Sequence, residues 1–390
     1  MRNKYFLAYM IMTAFFLGSC TSSNTHVEDF YSTESVITCH SLEVNKDYTE
    51  FMKDVSFVPL ETTDESIIGY ITQIEFTDSF IFVNADRKKI LQFDRDGNFI
   101  QRIGSLGKGP MEYLEARDIC VIDTSIYILD YRKILCYSFS GRFLYSKGFN
   151  LSSGKRYCNA THFYPAHSDG FYLWGGTVGI DKKNAKYNHL MYYVNESMEI
   201  EKSYFPVTNP YGGRNDVFNK SLDGGITIDP AWGTYDVYQM DSIGNTSIKY
   251  HFDFGKHTHH LDSFEDIENK RPQLKEYILQ LKNFAETPQW IHISFDYKSI
   301  YYDLFYHKNS KRTYITSAQL DCRSMNDYTF WNQCYALDNQ FVSVIQASWF
   351  LNENERLGEH GKQRYRLNKY QHVKEDDNPI LVFYQMKDIS

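Results

Sequence analysis

Residues 78–100 have the sequence DSFIFVNADRKKILQFDRDGNFI, and residues 123–144 repeat its pattern as DTSIYILDYRKILCYSFSGRFL. Each copy holds three short apolar runs, with a polar turn before the first run and a glycine turn before the last. Gly97 and Gly141 occupy equivalent places, where a hairpin favours a residue that can adopt positive φ. A unit of several short strands that recurs at a period of about 44 residues is typical of a β-propeller.

Four weaker copies of this unit follow along the chain. They begin with the strand-like segments 169–173, 223–228, 290–294 and 338–344. Aromatic residues make up 17% of the chain, which favours strands. The sequence therefore predicts an all-β fold, a six-bladed β-propeller that forms one domain over residues 51–390.

The sixth unit lacks nearby partners for its last strands. Residues 379–384 (PILVFY) form a strong strand pattern at the C-terminus, and residues 55–60 (VSFVPL) alternate near the N-terminus. We expect these N- and C-terminal strands to complete one blade together. Such closure would leave no long exposed sheet edge.

Two segments interrupt the strand pattern. Between residues 263 and 286, Ile267, Leu274, Ile278 and Leu281 recur at helical spacing, which predicts a helical insertion on a rim of the propeller. This helix would cover a blade surface or bind a partner. Residues 351–366 are highly polar and predict a solvated excursion before the last strand.

The first twenty residues predict export. Arg2 and Lys4 precede an apolar run over residues 5–17, which is typical of a secretory signal and short for a membrane span. Residues 17–20 (LGSC) resemble the cleavage box of bacterial lipoproteins, and this resemblance implies that Cys20 is acylated. We expect a signal peptide over 1–19, a lipidated cysteine with its tether over 20–50, and an anchor in the cell envelope. The outer membrane is the expected membrane, and its periplasmic and surface faces both remain open.

Charge and cysteine spacing exclude several classes of site. The net charge of −8 gives no basic face for nucleic acid. The cysteines other than Cys20 form no CxxC pair, so the spacing of a zinc site is absent. No dinucleotide fingerprint or nucleophile elbow occurs, so we expect no cofactor and no metal. Disulfides and buried free thiols both remain open for Cys39, Cys120, Cys136, Cys158, Cys322 and Cys334.

Three further segments resemble a known family. They are FVPLET (57–62), IG (103–104) with GKGPMEY (107–113), and NPILV (378–382). These motifs are similar to those of six-bladed β-propeller lipoproteins of Bacteroides-type bacteria, distant relatives of NHL-repeat propellers. The resemblance covers roughly residues 50–390, and it implies the fold but no particular ligand.

The loop over residues 104–110 (GSLGKGP) leads to the candidate ligand-binding residues. It lacks the GKS or GKT ending of a phosphate loop, so we interpret it as a connection between two blades on the ligand-binding rim. Glu112, Tyr113 and Arg117 follow it toward the central channel, where they would contact a ligand by hydrogen bonds and stacking. The alternative is a structural turn in which Glu112 accepts hydrogen bonds from local backbone amides.

Two other groups of polar residues are weaker candidates. The cluster HTHH (257–260) has the residue type of metal ligands but lacks the carboxylate of a helical HExxH site. Asp86, Asp130 and Asp229 follow the first strand of their units. They would line the channel or bind calcium, or they would cap neighbouring amides in turns.

These observations predict a non-catalytic binding or scaffolding module of the cell envelope. Its expected ligand is a glycan or peptide fragment, and an envelope protein is a further expected partner. Two alternatives stay open. One is an envelope hydrolase or lyase with its site in the central channel, and the other is a protein-interaction platform. A carboxylate pair at the channel mouth, or a histidine with a metal, with shifted pKa values, would favour the enzyme.

Overall fold

The computed structural model describes residues 36–45, 47–149, 160–166, 170–175, 189–206, 217–222, 225–229, 233–259, 274–317 and 334–389. The predicted signal peptide, Cys20, Cys158, Cys322 and residues 263–273 lie outside these ranges. In the described residues the chain begins with strands β1 (Val36–Thr38) and β2 (Met52–Pro59), separated by a short 3₁₀ turn at Tyr48–Glu50.

The next strands form the first three blades. Blade 1 holds β3 (Ile71–Phe76), β4 (Phe80–Ala85), β5 (Lys89–Asp94) and β6 (Phe99–Ile103). Blade 2 holds β7 (Asp118–Ile122), β8 (Ser125–Leu129), β9 (Lys133–Ser138) and β10 (Phe143–Gly148). Blade 3 holds β11 (His162–Pro165), β12 (Phe171–Trp174), β13 (His189–Val194) and β14 (Ile200–Pro206).

The remaining strands form blades 4 to 6. Blade 4 holds β15 (Phe218–Lys220), β16 (Ile226–Ile228), β17 (Asp236–Met240) and β18 (Thr246–Asp253), with a 3₁₀ turn at Gly255–His257 after it. Blade 5 holds β19 (Leu281–Glu286), β20 (Trp290–Tyr297), β21 (Ile300–His307) and β22 (Arg312–Thr316). Blade 6 holds β23 (Tyr335–Leu337), β24 (Gln340–Ile345), β25 (Ile380–Met386) and β2.

Blades 1 to 5 are antiparallel meanders whose four strands follow one another from the innermost to the outermost position, and in blade 6 the outermost position is taken by β2. Buried side chains on both faces of each sheet pack against the neighbouring blades, so the hydrophobic core runs around the ring. Blade 4 carries a fifth strand, because β1 pairs in parallel with β18 from Val36 opposite His251 to Thr38 opposite Asp253. The predicted all-β, six-bladed propeller is confirmed.

Blade 6 closes the ring with strands from both ends of the chain, as predicted. Strand β25 pairs with β24 on one side, and with β2 on the other from Met52 opposite Met386 to Pro59 opposite Ile380. Its residues Ile380, Leu381 and Val382 are fully buried. The last strand of the described chain is therefore an internal strand of its sheet.

Asn378, just before β25, stabilises the closed ring by hydrogen bonds. Its amide oxygen accepts a hydrogen bond from the Ile68 amide at 2.8 Å, and its Nδ2 donates to the carbonyl oxygens of Glu61 and Ser66 at 2.8 and 3.0 Å. These acceptors and donors belong to the connection from β2 to β3. One buried side chain thus joins the C-terminal strand, the outermost strand of blade 6 and the entry to blade 1.

The glycine turns of the repeat have the conformation that their sequence predicts. Gly97 between β5 and β6 has a φ of 91°, and Gly141 between β9 and β10 has a φ of 77°. A Cβ atom on Gly97 would lie 2.2 Å from the carbonyl oxygen of Pro59. Glycine is therefore required there by backbone conformation and by the close approach of the closing strand β2.

Helical structure in the described residues lies mainly between β24 and β25. Helices α1 (Ala347–Arg356) and α2 (Glu359–Arg364) and a 3₁₀ turn at Leu367–Tyr370 form this helical insertion. It occupies the excursion expected over 351–366, where several residues are exposed but the backbone is largely helical. Phe350 and Tyr370 pack edge-on against Phe57 of β2, which explains why the segment folds onto blade 6. No helix among the described residues is long and apolar enough to cross a membrane.

A small helical insertion in an all-β fold is thus confirmed, but the helix predicted over 263–286 is wrong at its C-terminal end. Residues 281–286 form the innermost strand of blade 5. The register of β19 against β20 shifts between Lys282 and Ala285, and Asn283 within this bulge has a φ of 54°. A bulge inserts a residue into the alternation of a strand. Buried Leu281 and Phe284 therefore fall three residues apart, and the alternation by which a strand is recognised is absent here.

Candidate functional site

A channel of about 440 Å³ lies at the centre of the propeller. Its walls are the innermost strands of all six blades: β3, β7, β11, β15, β19 and β23. We call the end where these strands begin, near Tyr70, Arg117 and Thr161, the first rim. The end where they finish, near Leu222 and Asp338, is the second rim. The volume lies within the range of small-ligand sites, which is about 300–1,000 Å³.

Several polar side chains at the channel wall join neighbouring blades. The side chain of Gln73 accepts a hydrogen bond from the amide of Ile119 and donates one to its carbonyl oxygen, both at 2.8 Å. Asp118 Oδ2 accepts from the amide of Phe163 at 2.8 Å. These side-chain hydrogen bonds fix blades 1, 2 and 3 relative to one another at the channel wall.

The three aspartates predicted at equivalent places in their units accept hydrogen bonds from backbone amides. Asp86 accepts from Tyr70 at 2.8 Å, Asp130 from Glu115 at 3.3 Å and Asp229 from Phe284 at 3.4 Å. Asp130 and Asp229 are buried. Their carboxylates cap turns and join blades, which matches the structural alternative drawn from the sequence.

One ion pair spans the channel between blades 1 and 4. Lys220 Nζ lies 3.8 Å from Glu75 Oε2. Cys120 is buried beside this pair, and burial followed by the nearby charge of Glu75 raises the pKa of its thiol well above the usual range, although Lys220 opposes the shift. The thiolate is the nucleophilic form of cysteine. Cys120 therefore stays protonated, and it contributes to the channel wall by packing and not as a nucleophile.

Half-buried aromatic side chains line the channel. The Phe76 and Tyr335 rings lie 6.1 Å apart, and the Tyr164 and Phe218 rings lie 6.2 Å apart. Burial raises the pKa of Tyr164, so its hydroxyl remains a neutral hydrogen-bond donor. These four residues, which we call the aromatic ring, come from blades 1, 3, 4 and 6 and line the channel together with Glu75 and Lys220.

A buried ionic cluster joins blades 4 and 5 at the second rim. The carboxylate of Glu286 accepts hydrogen bonds from Lys249 at 2.8 Å, Lys308 at 2.6 Å and the Tyr250 hydroxyl at 2.6 Å. Burial alone would raise the pKa of Glu286. The donated hydrogen bonds outweigh burial and lower it. Glu286 is therefore an ionised structural carboxylate.

The structure separates the three ligand-binding residues predicted from the sequence. Glu112 Oε2 accepts a hydrogen bond from the Gly109 amide at 2.9 Å, as in the structural alternative. Tyr113 is fully buried, with its hydroxyl 3.4 Å from the Ile103 carbonyl oxygen, so its ring offers no stacking face. Arg117 alone lines an open cavity, at the first rim.

The histidine cluster is divided between a rim loop and residues outside the described ranges, where His260 lies. The ring of His257 packs edge-on against Tyr297 at 4.9 Å, and that of His259 stacks on Tyr277 at 4.6 Å. No group of three or more metal-ligating side chains occurs within the part of the chain that the structure describes.

The channel residues were missed because the visible repeat starts on the second strand of each blade. Phe76 and Lys220 lie on innermost strands, which are short and precede the recognisable Asp-led segment. Writing the six units in register and taking the strand before each one would have located them.

Comparison with known proteins agrees with this architecture. A crystal structure of a predicted exported protein from Bacteroides fragilis NCTC 9343 superposes with a TM-score of 0.71 at 16% identity, covering 91% of this chain and 99% of that one. The WD40 domain of Pan2 from Neurospora crassa gives a TM-score of 0.39 at 10% identity, covering 76% and 80%. At 16% identity the likeness to the Bacteroides fragilis protein shows the fold alone.

No curated protein matches this chain. A family model described as a domain of unknown function, DUF4934, matches residues 34–385, which include all six blades and β1. The chain belongs to the DUF4934 family.

Proposed function

We propose that this protein is an exported, lipid-anchored binding module of the cell envelope whose central channel takes a small glycan or peptide fragment. The observation that carries this proposal is the aromatic ring at the channel wall, together with the Glu75–Lys220 pair. Apolar walls with a few fixed polar groups are typical of small-ligand sites. Aromatic faces fit the apolar faces of sugars and the side chains of peptides, and the ion pair provides both a donor and an acceptor.

The state of the channel carboxylates favours binding over hydrolysis. Glu75, Asp118, Glu286 and Asp338 line the channel. The first three are each engaged by a lysine or a backbone amide, and Asp338 is exposed at the second rim. Among the described residues, the carboxyl group with a raised pKa is Asp303, whose burial disfavours its charge. It lies on the third strand of blade 5, bonded to His292 at 3.0 Å, and does not line the channel. A general acid would need such a shift at the channel itself.

We expect Phe218→Ala to weaken fragment binding at least tenfold while leaving the fold intact, because Phe218 is half-buried and contributes one face of the aromatic ring. Thermal unfolding with a panel of glycan, peptidoglycan and peptide fragments would identify the ligand. A fragment at 100 times its Kd adds about 2.7 kcal/mol, which raises the melting temperature by a few degrees. Calorimetric titration would then give the affinities.

Tyr145→Ala is the matched control, since Tyr145 is an exposed aromatic residue on the outermost strand of blade 2. It should leave the affinity unchanged. If no glycan or peptide fragment raises the melting temperature, the channel is not a small-ligand site and a protein partner becomes the better proposal.

The lipid anchor has its own test. We expect Cys20→Ser to abolish incorporation of a labelled fatty acid and to release the protein from the membrane fraction, because acylation takes place on the cysteine sulfur. Cys39→Ser is the control, since Cys39 is buried beside β1. Continued labelling of the Cys20→Ser protein would contradict the proposed anchor.

A further inference from the structure

A second cavity opens at the first rim. We call it the first-rim pocket. It measures about 460 Å³ and lies where β3, β7 and β11 begin, between blades 1, 2 and 3. Gln73, Asp118 and His162 line both this pocket and the channel, so the two cavities adjoin. The aromatic ring lies outside the first-rim pocket, which makes the pocket a separate site.

Arg117 is a cation with most of its donors unused. Its Nη1 donates to the carbonyl oxygen of Ala160 at 2.7 Å, and its guanidinium lies over the Tyr131 ring at 4.4 Å. A guanidinium carries five N–H donors in a planar fork. Among the described residues, no carboxylate lies within ion-pair distance of Arg117. Its remaining N–H groups are therefore available to a ligand.

The neighbouring carboxylates are occupied by other donors. Glu115 Oε1 lies 3.2 Å from Arg87 Nη1, and Asp118 Oδ2 accepts from the Phe163 amide. Partial burial lowers the pKa of the Arg117 guanidinium despite the charges of Glu115 and Asp130. An anion that binds beside Arg117 would stabilise the charged form of this half-buried side chain.

A second donor lies in the same pocket. The hydroxyl oxygen of Thr72 is buried and has no hydrogen-bond partner among the described residues. Thr72 lines the first-rim pocket together with Arg117 and Thr161. Buried polar groups in proteins are nearly always hydrogen-bonded, so an unpartnered hydroxyl at a cavity wall points to a missing acceptor.

We propose that the first-rim pocket binds the carboxylate of an acidic ligand, with the Arg117 fork and the Thr72 hydroxyl as its donors. Arginine and a carboxylate form paired, charge-assisted hydrogen bonds, and these select a planar anion by geometry as well as by charge. A uronic acid residue of a glycan and the C-terminus of a peptide both supply this group. Recognition here is independent of whether the aromatic ring holds a ligand.

The test compares each acid with its neutral derivative on the full chain. Oligouronates are titrated against their methyl esters, and short peptides with a free C-terminus against their amides. We expect one acid class to bind at least tenfold more tightly than its neutral derivative, and the class that does so identifies the source of the carboxylate. Equal affinities of acid and derivative in both classes would overturn the proposal.

Variants then assign the selectivity to the pocket. Arg117→Gln should reduce the acid-to-derivative ratio to about one, and Thr72→Val should reduce it severalfold. Arg117→Lys keeps the charge without the fork and should give an intermediate ratio. Arg142→Gln, at an exposed turn of blade 2, should leave the ratio unchanged. Phe218→Ala should leave the acid-to-derivative ratio unchanged, because Phe218 lies outside the first-rim pocket, and this separates failure at the pocket from failure of the channel proposal.

Discussion

Deletion of residues 376–390 is expected to unfold all six blades and not blade 6 alone. The deletion removes β25, the internal strand that pairs with both β24 and β2. Six of its seven residues are buried, and burial of a large apolar side chain is worth about 2 kcal/mol. Their sum is comparable to the whole stability of a typical domain, about 5–15 kcal/mol. Loss of β25 therefore opens the ring rather than fraying one end.

Circular dichroism and calorimetry of the truncated protein would check this result. A synthetic peptide of residues 376–390 provides the matched control, because adding it should restore the cooperative transition. A truncated protein that melts cooperatively at the temperature of the full chain would show that β25 contributes little to the stability of the ring.

Glu286→Gln is expected to destabilise the protein by about 3–5 kcal/mol at neutral pH, the usual cost of breaking a buried ion pair. The side chain of Glu286 is 6% exposed and that of its partner Lys249 is 8% exposed. Glutamine can still accept hydrogen bonds, but it leaves the buried ammonium of Lys249 without its countercharge. The effect would appear as a lower denaturant midpoint with an unchanged slope.

The same variant should flatten the acid side of the stability profile. The pKa of Glu286 is lower in the folded state than its ordinary value of 4.5. A lowered carboxyl pKa stabilises the fold above the unfolded-state pKa, and this contribution is lost as the pH falls through the folded-state pKa. Wild type should therefore lose stability below about pH 4.5 more steeply than Glu286→Gln.

Glu359→Gln is the control for both measurements. Its side chain is 85% exposed and lies 3.7 Å from Lys362, so the pair should contribute less than about 1 kcal/mol. Equal acid slopes for wild type and Glu286→Gln would mean that the cluster does not retain its charge in the folded state.

The propeller could be predicted because its repeat depends on local turn chemistry. Gly97 and Gly141 mark hairpins that require positive φ, and such positions remain visible in a single sequence. Strand β1 was missed, since three residues that pair in parallel with β18 carry no turn signal of their own. Blade 5 was misread because the bulge at Lys282–Ala285 breaks the alternation by which a strand is recognised.

The candidate sites were harder to predict, because each depends on residues from several blades. Arg117 was found through its proximity in sequence to a conspicuous glycine loop, but the same argument also selected Tyr113, which is buried. Thr72 and Phe218 lie roughly one blade and two blades away from Arg117 around the ring. No spacing along a chain indicates which side chains a closed ring brings together.

The position of β2 in the chain also delays closure of the ring until the end of synthesis. Strand β2 leaves the ribosome early, yet β25, its partner among the described strands, follows about 320 residues later. At roughly 5–20 residues per second, the interval is on the order of 15–60 s. Throughout that time blade 6 lacks its third strand, so the nascent chain stays unclosed and accessible to chaperones. The native ring therefore cannot exist before the polypeptide is complete, however early any one blade folds.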